Sequence, residues 1–358
     1  MTTLTAATKQ WSDRPADERY KSLEDLHNAV NTFRAQSKEA PHVPYASLRT
    51  EASGDDVLLV GKSNVPSKMT HWAFGQLAQR VSFPADPLRG LPPTLAAQVL
   101  NHKLSVMDRG SQCNLLLHAN GGYLVRALTS ERYTRIWNND ITSRLIALTQ
   151  QAPEWQPAPA AFDGSRGLYA SDHDMFAFLV DNNRRIFEKS PGGGLGRGFF
   201  VANSEVGAAS FWIMTFFYEY VCGNHRVWGA SNVTELKIRH TGTADDRAFH
   251  MLRGELKKYA EGSAADDEAK VEKAMTLQLG KNKDEVLNKV FGLRVPALTK
   301  GVISDGYDRA VKHADWYGSP RTVWGLTGGI TEVARDMPFT DDRVAVERAT
   351  GKLMQVAF

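Results

Sequence analysis

The middle of the chain constrains its fold most. Residues 167–180, 198–206 and 208–228 form three runs rich in aromatic and β-branched residues, which favour a pleated, well-packed surface. The third run alternates large apolar groups on both sides. Trp212, Met214, Phe216 and Tyr218 occupy one side; Phe211, Ile213 and Phe217 occupy the other. A strand of this kind suits the centre of a sheet covered on both faces. A buried helix is the rival reading, because periodicity alone does not separate the two in so apolar a run. Asn182-Asn183 and Pro191-Gly192-Gly193-Gly194 supply the connections, so one antiparallel sheet is expected.

Helical and mixed segments flank this centre. Residues 1–20 are polar and aperiodic and read as a flexible lead-in. Leu23, Leu26, Val30 and Phe33 have helical spacing behind a Ser22 cap. Residues 57–60 read as a strand, and Ser67 is expected to cap a helix running through Val81. A further helix is expected over 94–104. Residues 113–118 and 123–129 flank Asn120-Gly121-Gly122 as a hairpin, and a helical stretch follows from Ser130 through Leu148. Pro153, Pro157 and Pro159 mark a linker. Beyond Asp245 the chain becomes charged and helical, with helices expected over 245–259, 266–291, 299–316 and 341–354. The predicted class is α+β: a central antiparallel sheet flanked by helices, with a helical C-terminal third. The parts are a flexible segment over 1–20, an N-terminal α+β part over 21–150, the sheet over 160–240 and a helical part over 241–358.

The formal charge of +3 over 358 residues is mild, so any nucleic-acid reading rests on where the charges fall. Cys113 and Cys222 are the only cysteines and form no CxxC pair. This excludes a disulfide scaffold and a cysteine-built zinc site, and two buried free thiols are expected. No apolar run reaches the ~18 residues needed to span a bilayer, and residues 1–10 lack the apolar core of a signal peptide. A cytoplasmic location without membrane association is therefore expected.

Motif by motif, catalytic signals are weak. Val60-Gly61-Lys62-Ser63 follows a strand, but Asp56 stands where a phosphate loop needs its first glycine. The glycines of 191–198 never complete GxGxxG, which favours a hairpin tip; Arg197 keeps open a role on a nucleic-acid backbone. GxSxG and HExxH are absent. Asp172 and Asp174, on one face of a straight strand, would lie roughly 7 Å apart. With Glu205 and His225 they form the one candidate catalytic or metal-binding set. Asn203-Ser204-Glu205-Val206-Gly207 and Cys222-Gly223-Asn224-His225 close apolar strands, where polar groups either satisfy backbone ends or build a site.

Cations and rings also intermingle here. Arg184, Arg185, Arg197, Arg226 and Lys237 are candidate phosphate ligands, and Tyr218 and Trp228 candidate stacking platforms, the mixture that single-strand grooves use. Glu188, Glu219 and Glu235 dilute the patch.

The strings Gly167-Leu-Tyr-Ala-Ser-Asp172, Gly198-Phe-Phe-Val-Ala-Asn-Ser-Glu-Val-Gly207 and Tyr220-Val-Cys-Gly-Asn-His-Arg-Val-Trp-Gly229 together resemble an uncharacterised family of phage/plasmid-like proteins. The resemblance implies residence on mobile elements and supplies no catalytic residues. It leads to the expectation of a DNA-handling protein that binds single-stranded DNA as a homo-oligomer, with annealing as a further step and no cofactor. The alternatives are a metal-dependent enzyme acting on nucleic acid or nucleotide through Asp172, Asp174, Glu205 and His225, and a host-defence antagonist working through protein contacts.

Overall fold

The computed structural model describes residues 20–119, 123–159, 167–187, 194–219, 224–227, 236–261, 265–337 and 340–356. The expected lead-in over 1–20 falls almost wholly outside them, as do the Asn120-Gly121-Gly122 turn, the Pro191–Gly193 loop, Cys222 and Trp228.

The first helix, α1 (Leu23–Ala35), begins where expected: Ser22 Oγ accepts from the Asp25 N–H at 3.0 Å. Then come β1 (Ser37–Pro44), β2 (Arg49–Ser53), β3 (Asp56–Val60) and β4 (Pro66–Met69). The next helix, α2 (His71–Arg80), is capped by Thr70, not Ser67. Ser67 and Met69 instead belong to β4, which pairs in parallel with β6 (Tyr123–Ser130). Helices α3 (Ala85–Gly90) and α4 (Pro93–Ser105) precede β5 (Gln112–Ala119). These strands make a six-stranded sheet in the order β1-β5-β6-β4-β3-β2. Both edges are closed. Pro41, Pro44 and a register shift between Ala40 and Val43 interrupt β1. At the other edge Asn101 of α4 accepts from the Thr50 N–H (2.7 Å) and donates to the Thr50 carbonyl (2.8 Å). Cys113 is buried in this part, and burial pushes its thiol up to about 12.

Helix α5 (Asn138–Gln151) leads into the larger sheet of β7 (Trp155–Pro157), β8 (Leu168–Ala170), β9 (Met175–Ile186), β10 (Leu195–Asn203), β11 (Phe211–Glu219), β12 (Asn224–Val227) and β13 (Leu236–Ile238). Its spine is β12-β11-β10-β9-β7, with β13 also on β11, β8 also on β9, and every pair antiparallel. The third apolar run is thus a central strand, as the alternation requires. Phe199, Val201, Phe211, Ile213 and Phe217 pack with Leu26 of α1 and Ile141 and Leu145 of α5. Phe178, Phe200, Phe216 and Tyr218 pack on the opposite side. Gly198 is needed in β10, since a Cβ there would stand 2.5 Å from the Phe216 ring.

The C-terminal third is helical: α6 (Ala244–Glu261), α7 (Ala265–Thr276), α8 (Lys283–Gly292), α9 (Lys300–Lys312), α10 (Ala314–Tyr317), α11 (Val323–Arg335) and α12 (Thr340–Val356). The helix expected over 266–291 is two, separated before the Asn282 cap on Glu285 N–H. Helix α11 is buried along most of its length. It approaches α9 backbone to backbone: a Cβ on Gly329 would lie 1.9 Å from the Gly306 carbonyl oxygen. From α12, Arg343 Nη1 reaches Tyr169 Oη (3.1 Å) and its Nε reaches Glu347 (2.8 Å). Among the described residues no helix is long and apolar enough to cross a membrane.

Candidate nucleic-acid interface

At the end of β10 the Asn203–Gly207 string ties the two sheets together. Glu205 is 2% exposed and its Oε2 lies 3.3 Å from Nη1 of Arg126, itself 4% exposed, on β6. Its Oε1 accepts from the first N–H of α5, at Asn138 (2.9 Å), where a carboxylate also meets the positive end of the helix. Asn203 donates to the Ile136 carbonyl and to Asn138 Oδ1, and Ser204 Oγ donates to the His173 carbonyl. Trp72 Nε1 and Gln76 Nε2 of α2 both donate to the Val206 carbonyl. Of the two roles open to this string, its polar groups take the first: they satisfy chain ends and join elements.

That arrangement separates the candidate carboxylates. Asp172 and Asp174 do not share the face of a straight strand. They lie in the turn between β8 and β9, where Ser171 Oγ accepts from the His173 and Asp174 N–H groups at 3.1 Å each. Two polar side chains close together after Ser171 favour such a turn over continued extension. Glu205 is held by Arg126. His225 stands opposite Tyr218 in the β11–β12 register, its side chain outside the described residues. Among the described residues no three His, Cys, Asp or Glu side chains converge on a possible ion site.

The basic and aromatic candidates also disperse. Arg197 does not sit at a hairpin tip. It lies within β10, 4% exposed, with Nε 3.5 Å from Asp267 and its guanidinium 4.3 Å from the Tyr259 ring centre. Tyr218 is 3% exposed and belongs to the core. Arg185 is exposed on β9, opposite Gly196. The side chains of Arg184 and Arg226 lie outside the described residues, and Arg226 stands opposite Phe217. Lys237 is exposed on β13, opposite Trp212; its Nζ lies 4.3 Å from that ring centre, and the Arg348 guanidinium lies 4.0 Å from it.

A denser array forms where the sequence predicted the start of a helix. Residues 131–137 are not helical; α5 begins only at Asn138, behind an extended Trp137. In extended chain alternate side chains share a side, so Tyr133, Arg135 and Trp137 line up while Ile136 enters the core. The Arg34 guanidinium lies 3.7 Å from the Trp137 ring centre. The Arg135 guanidinium lies 5.3 Å from the Trp137 ring centre and 5.3 Å from that of Tyr133. His240 stacks on Tyr133 at 4.9 Å with 7° between planes. The result is an unbroken cation–ring ladder, Arg34–Trp137–Arg135–Tyr133–His240. The antiparallel, strand-like pairing of Thr134 N–H with the His240 carbonyl (2.9 Å) brings the segment that carries Lys237 and Arg239, both exposed, alongside the ladder; Arg132, also exposed, precedes Tyr133.

Electrostatics within the ladder follow from burial. Burial is the main force holding the His240 imidazole down, to about 4, helped by Arg135 and opposed by its hydrogen bond to the Thr134 carbonyl. Burial likewise raises the Tyr133 phenol, which stays protonated and donates to the Ser204 carbonyl at 2.9 Å. Arg135 Nε pairs with Glu39 at 2.9 Å, while its Nη1 and His240 Nε2 are buried without a hydrogen-bond partner among the described residues. Buried polar atoms are usually hydrogen-bonded to protein or to ordered water.

These features define a two-sheet α+β protein whose sheets are tied by a buried ion pair and bordered by a cation–aromatic ladder. Residues 127–340, more than half of the chain, match the family described as domain of unknown function (DUF932), and the chain belongs to that family. No curated protein and no solved structure matches it.

Proposed function

We propose that this protein binds single-stranded DNA, as a homo-oligomer and without catalysis, in the setting of a phage, plasmid or prophage. The observation that carries the reading is the ladder. The half-buried Trp137 ring, between the Arg34 and Arg135 guanidinium groups and backed by the Tyr133–His240 stack, offers an unpaired base a stacking surface, and exposed Arg132, Lys237 and Arg239 offer phosphates a cationic margin. A base entering against Trp137 displaces Arg34, which then meets the adjoining phosphate. Trp212, with Lys237 and Arg348 over it, extends the same chemistry along the sheet.

Anisotropy titration with a fluorescent oligothymidylate tests this. Engaging about four phosphates through Arg34, Arg132, Lys237 and Arg239 gives a slope of roughly −3 in log K against log salt. Trp137→Ala weakens binding by about 5- to 100-fold, the loss expected for one stacked base. Lys237→Glu with Arg239→Glu flattens the salt slope. Absence of binding at low salt, or equal binding by Trp137→Ala, refutes the proposal.

A further inference from the structure

The six-stranded sheet carries a groove of about 300 Å³ that the nucleic-acid reading does not use. Its floor is apolar: Leu59 on β3, Leu115 and Leu117 on β5, and Val125 on β6. Three of these are buried, and they continue inward to the core made with α2 and α4.

Both walls are shaped by backbone in the left-handed region, which residues other than glycine rarely adopt. One wall is the β1 bulge, with His42 at φ 53°, held by its N–H donating to Asn114 Oδ1 at 3.0 Å. The other is the β3–β4 turn, with Asn64 at φ 54°. Asn64 N–H closes that turn on the Gly61 carbonyl at 3.0 Å, and Arg49 Nη1 anchors Asn64 Oδ1 at 2.8 Å. The turn runs directly into a strand, so the Gly61-Lys62-Ser63 string forms a wall of the groove and precedes no helix. Walls fixed before a ligand arrives reduce the ordering cost of binding.

The polar lining has one sign. Lys62 supplies a positive charge, and His42, Ser63 and Ser67 add hydrogen-bonding groups. Among the described residues no aspartate or glutamate lines the groove. The geometry points to a binding site for a small apolar carboxylate, its hydrocarbon tail on the leucine and valine floor and its carboxylate against Lys62 at the rim. The volume stands at the lower end of the range for small-molecule sites, roughly 300–1,000 Å³, and the ligand is correspondingly short.

The test uses the full chain with methyl-labelled leucine and valine, titrated with hexanoate and, in parallel, with hexanol and hexylamine. Hexanoate is expected to shift the methyl signals of Leu59, Leu115, Leu117 and Val125 saturably. It should bind about three- to fivefold tighter than hexylamine, the preference one exposed ion pair confers. Lys62→Met, a change on the exposed rim, removes that preference, and Leu117→Trp, which fills the groove, abolishes the shifts. Hexylamine binding as tightly as hexanoate, hexanoate binding unchanged in Lys62→Met, or shifts confined to other methyl groups each overturn the assignment.

Discussion

Replacing Glu205 by glutamine tests whether the two sheets are held by the ion pair at their junction. The carboxylate and the Arg126 guanidinium are 3% and 5% exposed and 3.3 Å apart. Without the charge, Arg126 keeps, among the described residues, neutral acceptors: Ser37 Oγ at 3.2 Å and the Asp172 carbonyl at 3.3 Å. An uncompensated buried charge of this kind costs about 3–5 kcal/mol. The amide retains a hydrogen bond to the Asn138 N–H but loses the favourable charge at the start of α5, about 0.5 kcal/mol. At ~2.1 cal/mol/K per residue, unfolding all 358 residues as a unit carries an entropy near 0.75 kcal/mol/K, so the melting temperature falls by about 4–7 °C. Arg126→Met falls by a similar amount. The double variant buries no lone charge and loses less than the sum of the singles, by about 2 kcal/mol or more. Calorimetry on the four proteins gives the cycle. Strictly additive losses, or singles within 1 °C of the parent, would show that the pair does not hold the sheets.

Two further outcomes follow from buried groups. His240 has its imidazole depressed to about 4 in the folded chain against ~6.5 when unfolded. The unfolded state therefore binds more protons between those values, and stability falls as pH drops through that window. His240 accounts for about 2 kcal/mol of loss between pH 7 and 5, and denaturant midpoints of His240→Phe should lack that increment; an unchanged pH slope refutes the assignment. His71 and His118, also lowered chiefly by burial, contribute equally to both proteins. Gly329→Ala places a methyl group 1.9 Å from the Gly306 carbonyl oxygen, forces α9 and α11 apart, and costs 3 kcal/mol or more by order of magnitude. A melting temperature equal to the parent's would refute that contact.

Where local pattern and tertiary demand agree, the fold is legible in the sequence. The three central strands, their antiparallel order and the burial of β11 on both faces follow from the alternation around Phe211–Glu219. Helix α11 escapes notice because its glycines read as helix breakers, whereas Gly325 and Gly329 permit contact that only a neighbouring backbone explains. Arg197 looks like a loop cation beside glycines, yet Gly196 and Gly198 are strand residues, and Asp267, seventy positions away, receives its charge. The ladder was visible in principle: Tyr133, Arg135 and Trp137 repeat at a period of two, a strand-like pattern that the helical signal beyond Asn138 obscures. Its end members, Arg34 and His240, are joined to it only by the fold.

The family match divides these features unevenly. It opens at residue 127, one position after Arg126 and inside β6. Tyr133, Arg135, Trp137, Glu205, Lys237, Arg239 and His240 fall inside the matched region; Arg34, Trp72, Gln76 and Arg126 precede it. Every residue lining the groove on the smaller sheet also precedes it. The ring-bearing core of the proposed interface thus belongs to the body that the family model describes, while the apolar groove belongs to the segment in front. The two are bolted together at Glu205 and Val206, which take an ion pair and hydrogen bonds from Arg126, Trp72 and Gln76. If binding at the ladder does not depend on this junction, Glu205→Gln leaves oligonucleotide affinity unchanged at temperatures where the chain stays folded. A loss of affinity in that folded variant, measured by the same anisotropy titration, would instead make the junction part of the interface, because Tyr133, anchored on the Ser204 carbonyl, would have moved with it.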